Sequence, residues 1–126
     1  MNDNLPNPIS FETALTSFFK SLKELKRSSS TLTAYKSDLT QLWNYMDEHR
    51  ITQATTVTTQ HLNDFVGNLS TNGFIPKTIS RKINSMKTFF KFMTSTGMIT
   101  KSPATAVAHP KFTSAPPRFL TAIEFK

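Results

Sequence analysis

The sequence predicts an all-α bundle of four helices. Three observations carry this: apolar residues recur at three- and four-residue spacing in four stretches, each stretch is bounded by helix start or stop residues, and only 3 glycines occur in 126 residues.

Residues 1–9 hold two prolines and three asparagines and read as a disordered lead-in. Ser10 is then a suitable N-cap for a first helix reaching about Lys26, with Phe11, Leu15, Phe18, Phe19, Leu22 and Leu25 as its buried stripe. Lys20, Lys23, Lys26 and Arg27 crowd its end, where cations suit the helix dipole. A second helix is expected from Thr31 to about His49, capped by Ser30. Its inward stripe is Leu32, Tyr35, Leu39, Leu42, Trp43 and Met46; Thr33, Ser37, Gln41 and Asn44 form an uncharged polar face with Lys36 at its margin. Such a face is solvated by default, and it also suits a phosphate backbone or a groove edge.

Residues 50–58 read as a connection, and Thr58 or Thr59 caps a short third helix over about 60–70, with Leu62, Phe65, Val66 and Leu69 inward. Gly73 suits the left-handed residue that closes it. The fourth helix opens at Pro76, runs through Met93 and is ended by Gly97. Ile79, Ile83, Met86, Phe90 and Met93 fall within roughly 80° of one another on a helical wheel and face the core. Lys77, Arg81, Asn84, Lys87, Thr88 and Lys91 take the far side. Phe89 flanks the stripe; Phe92 points nearer the polar side, and its placement stays open, the segment from Ile99 to Val107 being one surface it can pack on. Prolines then favour an extended tail, in which Thr121 and Glu124 have the spacing of a capping box that opens a further helix. The expected organisation is a lead-in over 1–9, a helical domain over 10–108 and a linker over 109–126 toward a second domain.

Charge is distributed unevenly. Up to Asp64 the chain carries six Lys/Arg and seven Asp/Glu, so the formal net charge of +7 arises almost wholly from the second half, where no acidic residue occurs between Asp64 and Glu124. A clustered excess of this kind points to a polyanion, with nucleic acid ahead of an anionic membrane because no helix pairs a cationic face with a lipid-facing one. Cysteine is absent, which excludes disulfides, thiolate metal sites and thiol nucleophiles. His49, His61 and His109 lie in separate segments without carboxylate companions at ligand spacing, and the three glycines are isolated, so neither a metal site nor a phosphate loop is expected. Asp47 and Glu48 are adjacent and splay apart on a helix. The chain is expected to bind rather than catalyse, to use no cofactor, and to reside in the cytoplasm, since no apolar run approaches the ~20 residues of a membrane span.

Thr31-Leu32-Thr33-Ala34-Tyr35-Lys36-Ser37-Asp38-Leu39 resembles the T-L-x-A-Y-[RK]-x-D-L opening of a helix in the core-binding domain of tyrosine recombinases, the phage integrase family. The run from Thr78 to Met93 is similar to that domain's T-I-x-R-[KR]-L-S-A-L-R-x-F-F-[KR]-[FY]-[LM]. Gly97, Ile99, Ser102-Pro103-Ala104, Pro110-Lys111 and Pro117-Arg118-Phe119-Leu120 look like the family's exit into its catalytic domain. Ser102 replaces the usual Asn, Lys87 a commoner Arg, and Pro116 a usual Leu; lysine contacts phosphate as a point charge where arginine forms a fork.

The resemblance implies a SAM-like orthogonal four-helix bundle whose second and fourth helices meet the major groove of double-stranded DNA at a recombination site. It places the tyrosine nucleophile and its arginine, lysine and histidine partners in a catalytic domain beyond Lys126, and none of them in this chain. The expected DNA contacts are Ser30, Thr31, Thr33, Lys36 and Ser37 on the second helix, and Lys77, Thr78, Arg81, Asn84, Lys87 and Lys91 on the fourth. Arg81 is the expected base reader, because its fork matches guanine O6 and N7. The implied partners are the chain's own catalytic domain and, in a synapse, a tetramer of the full-length protein, with a monomer expected in isolation. Two other readings stand beside this: a helical protein-interaction module without DNA readout, and a helix-turn-helix regulator, which the long fourth helix and the Gly73–Pro76 turn disfavour.

Overall fold

A computed structural model describes residues 9–110; residues 1–8, and the tail beyond 110 with its expected capping box, lie outside the described residues. The helices are α1 (Phe11–Glu24), α2 (Ser29–Glu48), α3 (Thr59–Thr71) and α4 (Pro76–Ser95), with a short 3-10 turn at Ala54–Thr56 that periodicity does not signal. Among the described residues there are no strands, only an isolated antiparallel bridge between Ser10 and Gln53.

The N-caps follow side-chain reach. The Thr13 amide donates to Ser10 Oγ at 3.2 Å, and the His61 amide donates to Thr58 Oγ1 at 3.2 Å. For α2 the expectation needs correcting. Ser28 rather than Ser30 accepts the Thr31 amide, at 3.2 Å, so the helix opens at Ser29 and Ser30 lies in its first turn. A serine side chain reaches the amide three residues ahead, and Ser28 is the serine that leaves the helix intact behind it.

All four helices end in one way. The residue after the C-cap is left-handed, at Lys26 (φ 58°), Arg50 (φ 65°), Gly73 (φ 89°) and Gly97 (φ 82°). The next amide reaches back to close a Schellman turn: Arg27 to Leu22 O, Ile51 to Met46 O, Phe74 to Leu69 O and Met98 to Met93 O. Because α1 turns at Lys26, Leu25 is 63% exposed rather than part of the buried stripe.

α2 and α4 form the most extensive helix pair, α1 packs across both, and α3 packs on α4. Phe18 of α1 sits at their meeting point. Its ring is edge-on to Tyr35 at 5.5 Å and to Phe89 at 5.6 Å, and tilted against Phe92 at 5.4 Å. That contact gives Phe92 a partner on α1. The predicted stripe of α4 is wholly buried. Beyond α4 the chain folds back: Ile99, Ala104 and Val107 are core residues, and Thr59 Oγ1 donates to Pro103 O at 2.7 Å. At the other end, Ala54 N donates to Ile9 O at 2.7 Å, tying down a residue the sequence places in the lead-in.

Candidate nucleic-acid interface

Burying a carboxylate is costly unless cations and hydrogen bonds surround it. Asp38 of α2 is such a group, with its side chain only 1% exposed. One oxygen, Oδ1, accepts from Arg81 Nη2 at 2.7 Å and from Lys82 Nζ at 3.1 Å; Oδ2 accepts from Ser85 Oγ at 2.7 Å. Burial pushes the Asp38 pKa up, but the hydrogen bonds from Arg81, Ser85 and Lys82 and the charge of Lys82 outweigh it and hold the carboxyl below its usual value. Lys82 is buried as well, its ammonium 5.4 Å from the centroid of the Phe74 ring. Arg81 differs, because its side chain is 55% exposed. Asp38 engages one of the five N–H groups that the guanidinium's three nitrogens carry, and the exposure of the side chain leaves the others open to a further partner.

This cluster locks α2 to α4 and sets the surface above it. Thr31, Ala34 and Tyr35 of α2 and Arg81 and Asn84 of α4 line a groove of about 230 Å³ whose floor is Asp38 and Ser85. Thr33, Lys36 and Ser37 line a more open concavity with Thr40, Gln41 and Asn44. Lys87 and Lys91 line a third, shared with residues of the returning segment. The fold therefore brings together Thr31, Arg81 and Asn84, then Thr33, Lys36 and Ser37, and then Lys87 and Lys91. Ser30, Lys77 and Thr78 line none of these three; Ser30 Oγ lies 3.3 Å from Ser28 Oγ, and Lys77 is exposed on the first turn of α4.

Two cations beside these surfaces escaped the sequence-based set. Lys23 of α1 shares a hollow with Thr33 and Lys36, although the helix dipole accounts for it without a ligand. Lys101 stands in the cleft of Lys87 and Lys91. Its only sequence signal is membership of the acid-free run. The histidines take structural roles: the His49 ring lies tilted against Tyr45 with centroids 4.2 Å apart, His61 Nδ1 accepts the Thr58 amide at 3.0 Å, and His109 Nδ1 lies 3.1 Å from Ser80 Oγ. Among the described residues, no group of three or more His, Asp or Glu is placed to hold a metal, and no helix is long and apolar enough to cross a membrane.

Residues 15–97 match the family described as phage integrase, N-terminal SAM-like domain, which is well over half of the chain. The chain belongs to this family. Tyrosine recombinase XerC of Chlorobaculum parvum is 32% identical over 100 residues, covering 75% of this chain and 30% of that protein. Tyrosine recombinase XerD of Rickettsia conorii is 28% identical over 105 residues, covering 83% of this chain and 34% of that protein. The chain thus spans about a third of the length of these curated relatives. In three dimensions it resembles the N-terminal domain of a phage integrase/site-specific recombinase from Haloarcula marismortui, with a TM-score of 0.74 at 13% identity, covering 82% of this chain and 98% of that one. At that identity the likeness establishes the fold, a SAM-like helical bundle. Asp38 and Arg81, joined here across α2 and α4, fall within the stretch that matches the integrase family.

Proposed function

We propose that this integrase-family domain binds double-stranded DNA through the joined polar faces of α2 and α4, as the core-binding half of a cytoplasmic site-specific tyrosine recombinase. The observation that carries this reading is the groove in which Thr31, Arg81 and Asn84 converge, with Arg81 oriented from below by a buried Asp38. A pre-oriented guanidinium loses little freedom on meeting a base edge, and guanine O6 and N7 are its best match in the major groove. Thr33, Lys36, Ser37, Lys87 and Lys91 flank the groove and supply hydrogen-bonding and cationic contacts to phosphates, which set register without reading sequence. Ser30, Lys77 and Thr78 extend the contact at the N-terminal turns of the two helices.

In this reading the chain positions DNA and performs no chemistry; strand cleavage belongs to a catalytic domain that shares the recombination site with it. The domain is a monomer by itself and joins a tetrameric synapse only as part of the full-length recombinase. Backbone-amide NMR with a duplex at low salt tests the reading. Shifts are expected along α2 and α4 with a Kd of about 10⁻⁴ to 10⁻⁶ M. Shifts confined to α1 and α3 refute it, and salt-insensitive self-association without DNA binding supports a protein-interaction module instead. Arg81→Ala is expected to lower discrimination between a preferred and a scrambled duplex more than Lys91→Ala does; equal losses on both duplexes reduce Arg81 to a phosphate contact.

A further inference from the structure

The cleft between the second half of α4 and the segment that returns after it is cationic on both walls. Lys87, Lys91 and Thr94 come from α4 at intervals of four and three residues, and therefore from one side of the helix; Thr100, Lys101 and Thr105 form the opposite wall. It encloses about 560 Å³.

Neither local structure nor an ion pair accounts for the charge. Lys87 and Lys91 are like charges four apart on a helix, an arrangement that disfavours it, and no basic residue lies in the last turn of α4, where the dipole would welcome one. Among the described residues the ion pairs are those of Asp38 with Arg81 and Lys82, so these three lysines face the cleft without a carboxylate. The main chain around Lys101 is also held in place. The segment that carries it is pinned by the buried side chains of Ile99, Ala104 and Val107, by the bond from Thr59 Oγ1 to Pro103 O at 2.7 Å, and by the Ala104 amide donating to Ser102 Oγ at 3.1 Å.

We infer that this cleft is a seat for backbone phosphates of duplex DNA, that Lys101 completes it, and that it contributes affinity without sequence preference. The inference rests on the reading of α4 as a groove-facing helix. Geometry favours phosphate over bases here. Ten residues separate Arg81 from Lys91, which at 1.5 Å per residue is about 15 Å along the helix. The major groove is about 12 Å wide. With Arg81 at the base edges and α4 running across the groove, that length carries Lys91 and the neighbouring Lys101 past its width to the flanking sugar–phosphate strand. Small hydroxyl side chains between the lysines suit phosphate oxygens as hydrogen-bond donors.

The test is the salt dependence of binding, measured by fluorescence anisotropy on two 20-base-pair duplexes of unrelated sequence, for the full chain and for Lys101→Ala, Lys91→Ala and the triple Lys87→Ala/Lys91→Ala/Lys101→Ala. Lys101 is exposed, so its variant should melt as the parent does, and circular dichroism verifies this. Each single substitution is expected to flatten the slope of log K against log salt by about 0.9, and the triple by about 2.7, with equal fold losses on both duplexes. Parent binding with a slope unchanged by Lys101→Ala overturns the phosphate seat while leaving the α2–α4 reading intact. Loss on one duplex only also overturns it, because phosphates carry no sequence. Absence of duplex binding by the parent overturns both. Poly-glutamate binding that Lys101→Ala weakens, alongside unchanged duplex binding, assigns the cleft to an acidic protein segment and overturns the seat as well.

Discussion

Replacing Asp38 with Asn keeps the side chain's shape and removes its charge, leaving the ammonium of Lys82, whose side chain is 6% exposed, without its counter-ion and 5.4 Å from the centroid of the Phe74 ring. Breaking a buried pair by removing one partner costs about 3–5 kcal/mol. Losing the exposed Arg81 contact adds no more than about 1 kcal/mol. The lower end is the better expectation, because an Asn oxygen still accepts one hydrogen bond. For a domain of this size each kcal/mol moves Tm by about 4–8 °C, so a loss of about 3 kcal/mol lowers it by about 12–24 °C. Urea denaturation followed by circular dichroism gives the free energy directly. Lys82→Met should cost clearly less, since Asp38 keeps Arg81 and Ser85, and Asp38→Leu combined with Lys82→Met should recover most of the stability. The pH dependence follows from the depressed pKa of Asp38. Its contribution is complete above the unfolded carboxyl value of about 3.9 and is lost as the pH falls through the lower folded value, so the gap between parent and Asp38→Asn must narrow in acid. A loss below about 1 kcal/mol at neutral pH, or a gap that stays constant from about pH 5 to pH 2, refutes the reasoning.

Two further expectations concern helix ends. Ser28→Ala should cost about 1 kcal/mol and Ser30→Ala less than about 0.5, and the reverse order in thermal melts would return the cap to Ser30. Lys26→Gly should stabilise by about 0.5–1 kcal/mol, because relief of roughly 1–2 kcal/mol of left-handed strain exceeds the added flexibility of the unfolded chain; Gly97→Ala should destabilise by a similar amount, and a neutral outcome for both would show that these turns are unstrained.

Ser10, Gly73 and Gly97 announced their helix ends in the sequence, and the third helix's cap was narrowed to Thr58 or Thr59, because capping depends on side-chain reach and backbone permissiveness, both local properties. Lys26 and Arg50 did not, since nothing local marks a cation for the left-handed region; the tertiary path of the chain imposes it. The central cluster was half visible. Asp38 stands three residues after Tyr35 and four before Leu42, and Lys82 three after Ile79 and four before Met86, so each occupies a stripe position that solvent should not reach. A charge on such a stripe has to find its opposite on a neighbouring helix, but periodicity does not say which helix is the neighbour. The adjacency of α2 and α4 came from the family resemblance, and the seat of Lys101 from neither source, because a proline-interrupted segment has no period to read.

The stretch from Gln53 to Thr59, made of the end of the expected connection over 50–58 and the first residue of α3, is bonded both by the chain entering α1 and by the segment returning after α4. Ile9 and Ser10 bond to it on entry, and Pro103 bonds to its last residue on exit. A load passed back along the returning segment therefore meets two anchors in turn, the contact of His109 Nδ1 with Ser80 Oγ of α4 and then the bond from Thr59 Oγ1 of α3 to Pro103 O. Entry and exit of the helical domain are thus fastened to one stretch between α2 and α3, so loosening that stretch would release both together.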